Sequence, residues 1–165
     1  LFLVMYILNT TVRIKKVNKI VNNKSPFRKK EYEKWDGPAK KAVRNYLISL
    51  GCVLAEDIED YGADIVTREP LESYHEVEVK NGWTDEWPSH WKTLHIPFRK
   101  KRLIDMMKDK DDLTFYVLRK DLKQAWKIKG SQLTDDIVVE VPNKFKRKGE
   151  YFFNISVNNV RLITL

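Results

Sequence analysis

The segment GADIVTREPLESYHEVEVK, residues 62–80, carries the most information about both the fold and the chemistry of this chain. Asp64 stands at the beginning of one apolar run, and Glu78-Val79-Lys80 ends the next. The second run alternates apolar and polar residues, which is typical of a strand with one buried face. Glu78 and Lys80 therefore share a strand face. We expect the two runs to be neighbouring strands, so that two acids and a lysine meet at one end of a sheet.

The sequence before this segment predicts an amphipathic helix over residues 36–50. Its apolar residues recur on one face at helical spacing, whereas Lys40 falls on the opposite side. Asp36 suits the N-cap and Gly51 suits the position after the last turn. Residues before Asp36 could extend the helix, with a break expected next to Pro38.

The remaining pattern predicts a mixed α/β (α+β) domain in which helices flank a central mixed sheet. A second helix is expected to begin at Pro97. Strands are predicted at residues 52–55, 64–67, 74–80, 113–118, 125–128, 137–141, 151–157 and 160–164. We expect a single domain over residues 1–165, comprising an N-terminal extension (1–26), a core (about 27–130) and C-terminal strands (131–165).

Charge is distributed unevenly along the 165 residues, whose formal net charge is +8. Residues 13–48 carry twelve Lys/Arg and three Asp/Glu, and residues 92–110 carry seven against two. Between them, residues 52–80 carry nine acids and two bases. Basic flanks suit a phosphate backbone, whereas an acidic centre repels phosphate unless a cation neutralises it. Taken alone, the net charge fits a solvated basic surface equally well.

The sequence predicts an intracellular protein that does not enter a membrane. The apolar opening, residues 1–8, is too short to span a bilayer and lacks the flanks of a signal peptide. Cys52 is the only cysteine, so an internal disulfide framework is excluded. We expect a cytoplasmic or nucleoid-associated location, in a host cell if the source is a virus or phage, as the Lys, Asn and Ile usage hints.

The acids and the lysine of residues 62–80 have the chemistry of a metal-dependent phosphodiesterase. Mg²⁺ prefers oxygen ligands and usually takes one or two carboxylates, which Asp64 and Glu78 would supply, with the carbonyl of Val79 as a third ligand. Lys80 would orient the attacking water or hold the phosphate. Mn²⁺ would substitute for Mg²⁺. Further acids are Glu76 on the same strand face and, as weaker candidates, Glu31 and Glu33. The alternative is a solvated strand face with a cross-strand ion pair.

The segment 35–118 resembles the PD-(D/E)xK nuclease superfamily. The resemblance lies in the predicted order of helix, three-stranded meander, helix and strand, and in Asp64, Glu78 and Lys80, which match the motif. Ala63 replaces the proline that names it. The resemblance implies a restriction-endonuclease-like fold and Mg²⁺-dependent cleavage of DNA, or less often RNA, by an endodeoxyribonuclease. It implies Asp64 and Glu78 as metal ligands and Lys80 as the catalytic lysine. It is also compatible with a homodimer and leaves restriction, homing, junction-resolving, repair and phage subfamilies open.

Basic residues outside the motif are predicted to hold the nucleic-acid backbone. The first group lies at the start of the second helix, where free N–H groups also attract phosphate. The other groups follow predicted strands. The candidates are Arg99, Lys100, Lys101, Arg102, Lys120, Lys144, Lys146 and Arg147. Trp83, Trp87 and Trp91 are expected to pack a loop against the sheet rather than to stack on bases.

Two other classes of function stay open from the sequence. The first is a catalytically silent nucleic-acid-binding module, whose acids form a structural ion-pair network. The second is a structural or protein-interaction domain, in which the basic runs only maintain solubility. Metal dependence separates the first from a nuclease, and failure to bind any nucleic acid would favour the second.

Overall fold

A long helix, a six-stranded sheet and a smaller three-stranded sheet make up the fold. The computed structural model describes residues 29–56, 62–79, 86–88, 90–142 and 149–165, without the side chains of residues 31 and 32. The mixed α+β class predicted from the sequence is confirmed. No helix in these ranges is both long and apolar enough to cross a membrane.

Helix α1 (Lys29–Ser49) is continuous through Pro38, so the predicted break is wrong. Pro38 has no N–H to donate within the helix, and such an interior proline is tolerated only where packing compensates. Asp36 is consequently an interior residue and not the N-cap. The predicted end is confirmed, since Gly51 has φ +83° and the N–H of Cys52 donates to the carbonyl of Leu47 at 3.0 Å.

The main sheet has six strands in the order β1-β2-β3-β5-β6-β9. Its members are β1 (Val53–Leu54), β2 (Ile65–Glu69), β3 (Ser73–Val79), β5 (Leu113–Leu118), β6 (Gln124–Lys129) and β9 (Arg161–Thr164). The β3–β5 pair is parallel and the other pairs are antiparallel, which makes the sheet mixed as predicted. The parallel pair places the carboxyl ends of β3 and β5 at the same edge of the sheet.

The second sheet has the order β4-β8-β7, with β4 (Thr93–Pro97), β8 (Glu150–Ser156) and β7 (Val138–Val141). Strand β4 corrects the sequence prediction, because Pro97 ends a strand instead of starting a helix. A 3-10 turn (Phe98–Lys100) follows, and only then α2 (Lys101–Met106). The connection from β3 to β5 therefore contributes β4 to the smaller sheet and places α2 beside the main sheet.

Two apolar cores lie on the two faces of the main sheet. On one face, Val43 and Leu47 of α1 pack on Val77 and Tyr116. The other face carries the larger core, in which α2, β4 and β8 cover β5 and β6. The main sheet is thus flanked by a helix on one side but by a helix and a second sheet on the other. The C-terminal strands complete both sheets and are integral to the core.

Candidate functional site

Asp64 lies immediately before β2, next to the middle of β3. Ile65 pairs with His75 in the antiparallel register, so the preceding residue, Asp64, comes beside Glu76. The main-chain N–H of Val77 donates to Oδ2 of Asp64 at 2.9 Å. This bond fixes the carboxylate at the point where β2 begins and β3 approaches its carboxyl end.

Lys40 of α1 reaches the other oxygen of Asp64. Its Nζ lies 2.9 Å from Oδ1 of Asp64 and 2.9 Å from Oδ2 of Asp36. Burial lowers the pKa of Lys40, but the hydrogen bonds to Asp64 and Asp36 outweigh it, so the pKa rises overall. The helix therefore supplies a firmly charged ammonium to the acid that begins β2.

Glu76 is the most deeply buried charged residue of the described chain, with 1% of its surface exposed. Lys100, in the turn before α2, forms an ion pair with its Oε2. Burial, followed by the charge of Asp64, raises the pKa of Glu76, and Lys100 opposes this shift. Glu78 adds a smaller effect in the same direction as Asp64. The charges of Asp64 and Glu78 therefore both act on Glu76.

Glu78 stands on the same strand face as Glu76, about 7 Å further along β3. It is half-buried, and no hydrogen bond or ion pair joins its carboxylate to another residue in the described ranges. It pairs in register with Val117, near the carboxyl ends of β3 and β5. Lys120, directly after β5, follows this same edge. Val79 is the last residue of β3, and Lys80 lies outside the described residues.

An open cleft of about 460 Å³ is lined by three cations next to the acids. Arg99, Lys100 and Arg102 line it together with Gly62 and Leu103. Lys100 belongs both to the cleft and to the ion pair with Glu76, so the two features are contiguous. Lys101 is oriented elsewhere, because its Nζ pairs with Asp105 at 3.2 Å and Asp135 at 3.1 Å. Of the four predicted cations of this segment, the cleft therefore contains three.

The acids are suited to Mg²⁺ in chemical type but already hold cations. Carboxylate oxygens are the ligands that Mg²⁺ prefers. Lys40 stands at Oδ1 of Asp64, however, so a metal that used this oxygen would have to displace the ammonium. Across the described ranges, no three His, Cys, Asp or Glu side chains are grouped closely enough to hold a metal. The donors therefore match the ion in chemical type, but in the described ranges they are not arranged as a metal site.

Other predicted site residues lie away from the acids or outside the described ranges. Glu33 is exposed and pairs with Lys29 at 3.6 Å, one turn before Asp36. The side chain of Glu31 is outside the described residues, as are the predicted backbone-binding residues Lys144, Lys146 and Arg147. The acid of α1 that is connected to the site is Asp36, because the ammonium of Lys40 contacts both Asp36 and Asp64.

The packing predicted for the tryptophans is confirmed where the structure describes them. Trp87 and Trp91 pack against the larger core, and Nε1 of Trp87 donates to Gln124 at 3.0 Å, which confirms their packing role. Trp83 lies outside the described residues. His75 points to the α1 face, where its ring lies 5.8 Å from that of Tyr116. It is therefore directed away from Glu76 and Glu78.

Sequence reasoning missed Lys40 and ranked Glu76 too low. The signal for Lys40 was its i,i+4 spacing from Asp36, which places an acid and a base on one helix flank. The signal for Glu76 was harder to use, because Glu76 and Glu78 share one face of β3, and only the pairing register between β2 and β3 decides which of them lies beside Asp64.

Comparison with family models, with curated proteins and with solved structures found no match to this chain.

Proposed function

We propose that this chain is a Mg²⁺-dependent endonuclease of the PD-(D/E)xK type that hydrolyses phosphodiester bonds, with DNA as the first candidate substrate and RNA as the second. The observation that carries the proposal is the contiguity of two opposite features. Asp64 and Glu76 lie side by side, and the cleft with Arg99, Lys100 and Arg102 begins directly beside them. Acids alone would repel a phosphodiester, and cations alone would only bind it.

Different residues would bind the substrate and hold the metal. Arg99 and Arg102 would hold backbone phosphates in the cleft through charge-assisted hydrogen bonds. Asp64, with Glu76 or Glu78 and the carbonyl of Val79, would hold the metal. Bound Mg²⁺ would supply an acidified water and neutralise charge on the phosphate.

Three further residues would prepare the site. The N–H of Val77 keeps Asp64 in place. Lys40 neutralises Asp64 until the metal arrives. Lys80, which completes the motif after Glu78, would orient the water.

The test is cleavage of a labelled panel of supercoiled plasmid, linear duplex, single strand, branched junction and RNA, with Mg²⁺, Mn²⁺ or EDTA. Asp64→Asn and Lys80→Ala are expected to lower metal-dependent cleavage at least about 100-fold, as losing a metal-organising group typically does. Glu33→Gln, which removes an exposed acid of α1, is the matched control. Equal cleavage by wild type and Asp64→Asn would refute the proposal.

The second candidate is a catalytically silent nucleic-acid-binding module. It is favoured by one observation, that Lys40 and Lys100 already neutralise Asp64 and Glu76. Such a module would bind nucleic acid equally in Mg²⁺ and EDTA and cut nothing in the panel. A homodimer with one site for each strand of a duplex is a further prediction of the nuclease proposal, and the solution mass of the protein tests it.

A further inference from the structure

Three cations form a row on the α1 face of the main sheet, away from the cleft. Lys127 of β6 pairs directly with Arg161 of β9, and Lys129 follows two residues along β6. Ala125 and Ile163, which alternate with them, pack in the core under α1. Because side chains two residues apart in a strand share a face, the three cations lie on that same face. We call Lys127, Lys129 and Arg161 the basic row.

The basic row lacks a compensating carboxylate in the described part of the chain. Lys127 is half-buried, and burial first, then Lys129 and Arg161, lower its pKa. No described acid is among the charges that act on it; the opposing influence comes from the thiol of Cys52. Nζ of Lys129 donates to the main-chain carbonyl of Asp111 at 2.6 Å, and no ion pair between described residues involves Lys129. Like charges directly opposite each other on neighbouring strands destabilise a sheet.

An arrangement that costs stability in the isolated chain becomes favourable when an anion binds to it. The two neighbouring strands place the three cations side by side on one face of the sheet. The neighbours of the row toward β3 are polar or aromatic side chains, Thr114 and Tyr116. Interfaces with nucleic acid are polar and rich in positive charge, whereas the centres of protein interfaces are depleted of charge. The row therefore fits phosphates better than it fits a protein.

We propose that the basic row is a second contact surface for the phosphate backbone of nucleic acid, on the face of the main sheet opposite the cleft. The cleft lies on the side of the larger core, to which its lining residue Leu103 belongs, and Lys100 connects it to Glu76. The row lies on the α1 side of the sheet. Arg161 belongs to β9, the edge strand of the sheet. A nucleic acid that contacts both the cleft and the row has to pass around an edge of the sheet. The row would therefore increase the length of nucleic acid that the protein binds.

The test is binding of a labelled duplex of about 20 bp by fluorescence anisotropy, in EDTA and over a series of salt concentrations. EDTA removes cleavage from the measurement, so the result does not depend on whether the chain is a nuclease. The test variant combines Lys127→Gln, Lys129→Gln and Arg161→Gln. The control combines Lys41→Gln, Lys92→Gln and Lys108→Gln, which remove the same charge at exposed positions elsewhere.

The row variant is expected to weaken binding at least about tenfold and to reduce the salt slope by about 2.7, since each of its three lost phosphate contacts removes about 0.9. The control variant should weaken binding less than about threefold. Equal loss in the two variants would mean that only net charge matters and would overturn the proposal. Unchanged binding by the row variant would also overturn it and would favour an acidic protein partner.

A second measurement guards against misfolding of the row variant. Because Lys127 is partly buried among like charges, Lys127→Met alone should keep or raise the melting temperature of the free protein. The same variant should gain less thermal stabilisation from the duplex than wild type does. Equal stabilisation of both by the duplex would contradict the proposal.

Discussion

Lys40 holds Asp64 at 2.9 Å, and this contact between helix and strand organises the candidate site. Asp36 shares the same ammonium, so α1 contributes both an acid and a base. The arrangement keeps Asp64 neutralised and ordered before any ligand binds. A divalent ion and the lysine would compete for the same oxygen. Under the proposed metal binding, the contact would therefore link the stability of the free protein to its affinity for metal.

Replacing Lys40 by methionine should strengthen metal binding and weaken the free fold. The variant removes the competing ammonium from Asp64, so Mn²⁺ affinity is expected to rise about tenfold, equivalent to about 1.4 kcal/mol. The free energy of unfolding without metal should fall by about 1–2 kcal/mol, because two charge-assisted hydrogen bonds are lost. Calorimetric titration and urea unfolding measure the two effects. Lys41→Met, at the exposed neighbouring position, is the control, and unchanged or weaker Mn²⁺ binding by Lys40→Met would contradict the competition.

Glu76 should make the protein less stable as the pH rises. The ordinary pKa of this carboxyl is 4.5, and in the folded chain it is higher. Between those two values the folded chain holds the extra proton, so the free energy of unfolding falls with rising pH. Glu76→Gln carries no such proton. Its stability relative to wild type should therefore increase from pH 4 to pH 7.

Urea unfolding of wild type and Glu76→Gln at the two pH values measures this difference. Glu33→Gln, an exposed acid replaced in the same way, should show a much smaller change. A relative stability of Glu76→Gln that stays constant or falls between pH 4 and pH 7 would contradict the assignment of a buried acid. The variant should also lose metal affinity if Glu76 is a ligand.

His75 should have the opposite effect on acid stability. Burial, with added repulsion from Lys127 and Lys129, lowers the pKa of His75 from 6.5 to about 4. The unfolded chain takes up a proton below pH 6.5, whereas the folded chain resists it until about pH 4. The stabilisation is complete above pH 6.5 and is lost progressively as the pH falls through that interval. The loss would reach about 3 kcal/mol at 1.36 kcal/mol for each pKa unit.

His75→Phe keeps an aromatic ring against Tyr116 and removes the proton uptake. Its free energy of unfolding should therefore vary less than that of wild type between pH 7 and pH 4.5, by guanidinium or urea titration. His90→Phe, the same substitution at an exposed histidine, is the control. An identical pH dependence in wild type and His75→Phe would exclude the buried neutral histidine as the cause.

The cleft should distinguish Arg102 from its neighbour Lys101 in binding. Arg102 lines the cleft, whereas Lys101 is paired with Asp105 and Asp135. Arg102→Gln should weaken duplex binding in EDTA about three- to tenfold and lower the salt slope by about 0.9. Lys101→Gln should change both by much less, although it removes the same charge. Equal effects of the two substitutions would show that the cleft does not hold the backbone.

The local sequence pattern predicted those strands whose buried and exposed residues follow a regular pattern along the chain. Residues 113–118 form an uninterrupted apolar run, and the structure gives them as β5 with the same bounds, buried on both faces. The alternation before Lys80 likewise gave β3 within one residue. Both strands carry their periodicity in side chains that pack directly on a core. Such patterns are read from neighbours in the sequence.

Elements that depend on distant partners were not predictable in this way. Residues 93–97 alternate over only five residues and end in a proline, and they become β4 by pairing with β8, about sixty residues later. The role of Lys40 also depends on a distant residue. Helical periodicity assigns it correctly to the polar side of α1, but that side meets the beginning of β2. Whether a polar helix face meets water or a carboxylate is a property of the tertiary fold.

The ion pair between Glu76 and Lys100 joins the two sheets, because Glu76 belongs to β3 and Lys100 follows β4. The acid and its cation therefore stay together only while the smaller sheet remains packed on the larger one. A sub-global opening that released β4, β7 and β8 would separate the acids from the cationic cleft while α1 and most of the main sheet stayed folded. Function would then be lost at a lower temperature than that at which the main sheet unfolds. The stability of the smaller sheet would set the upper temperature at which the protein functions.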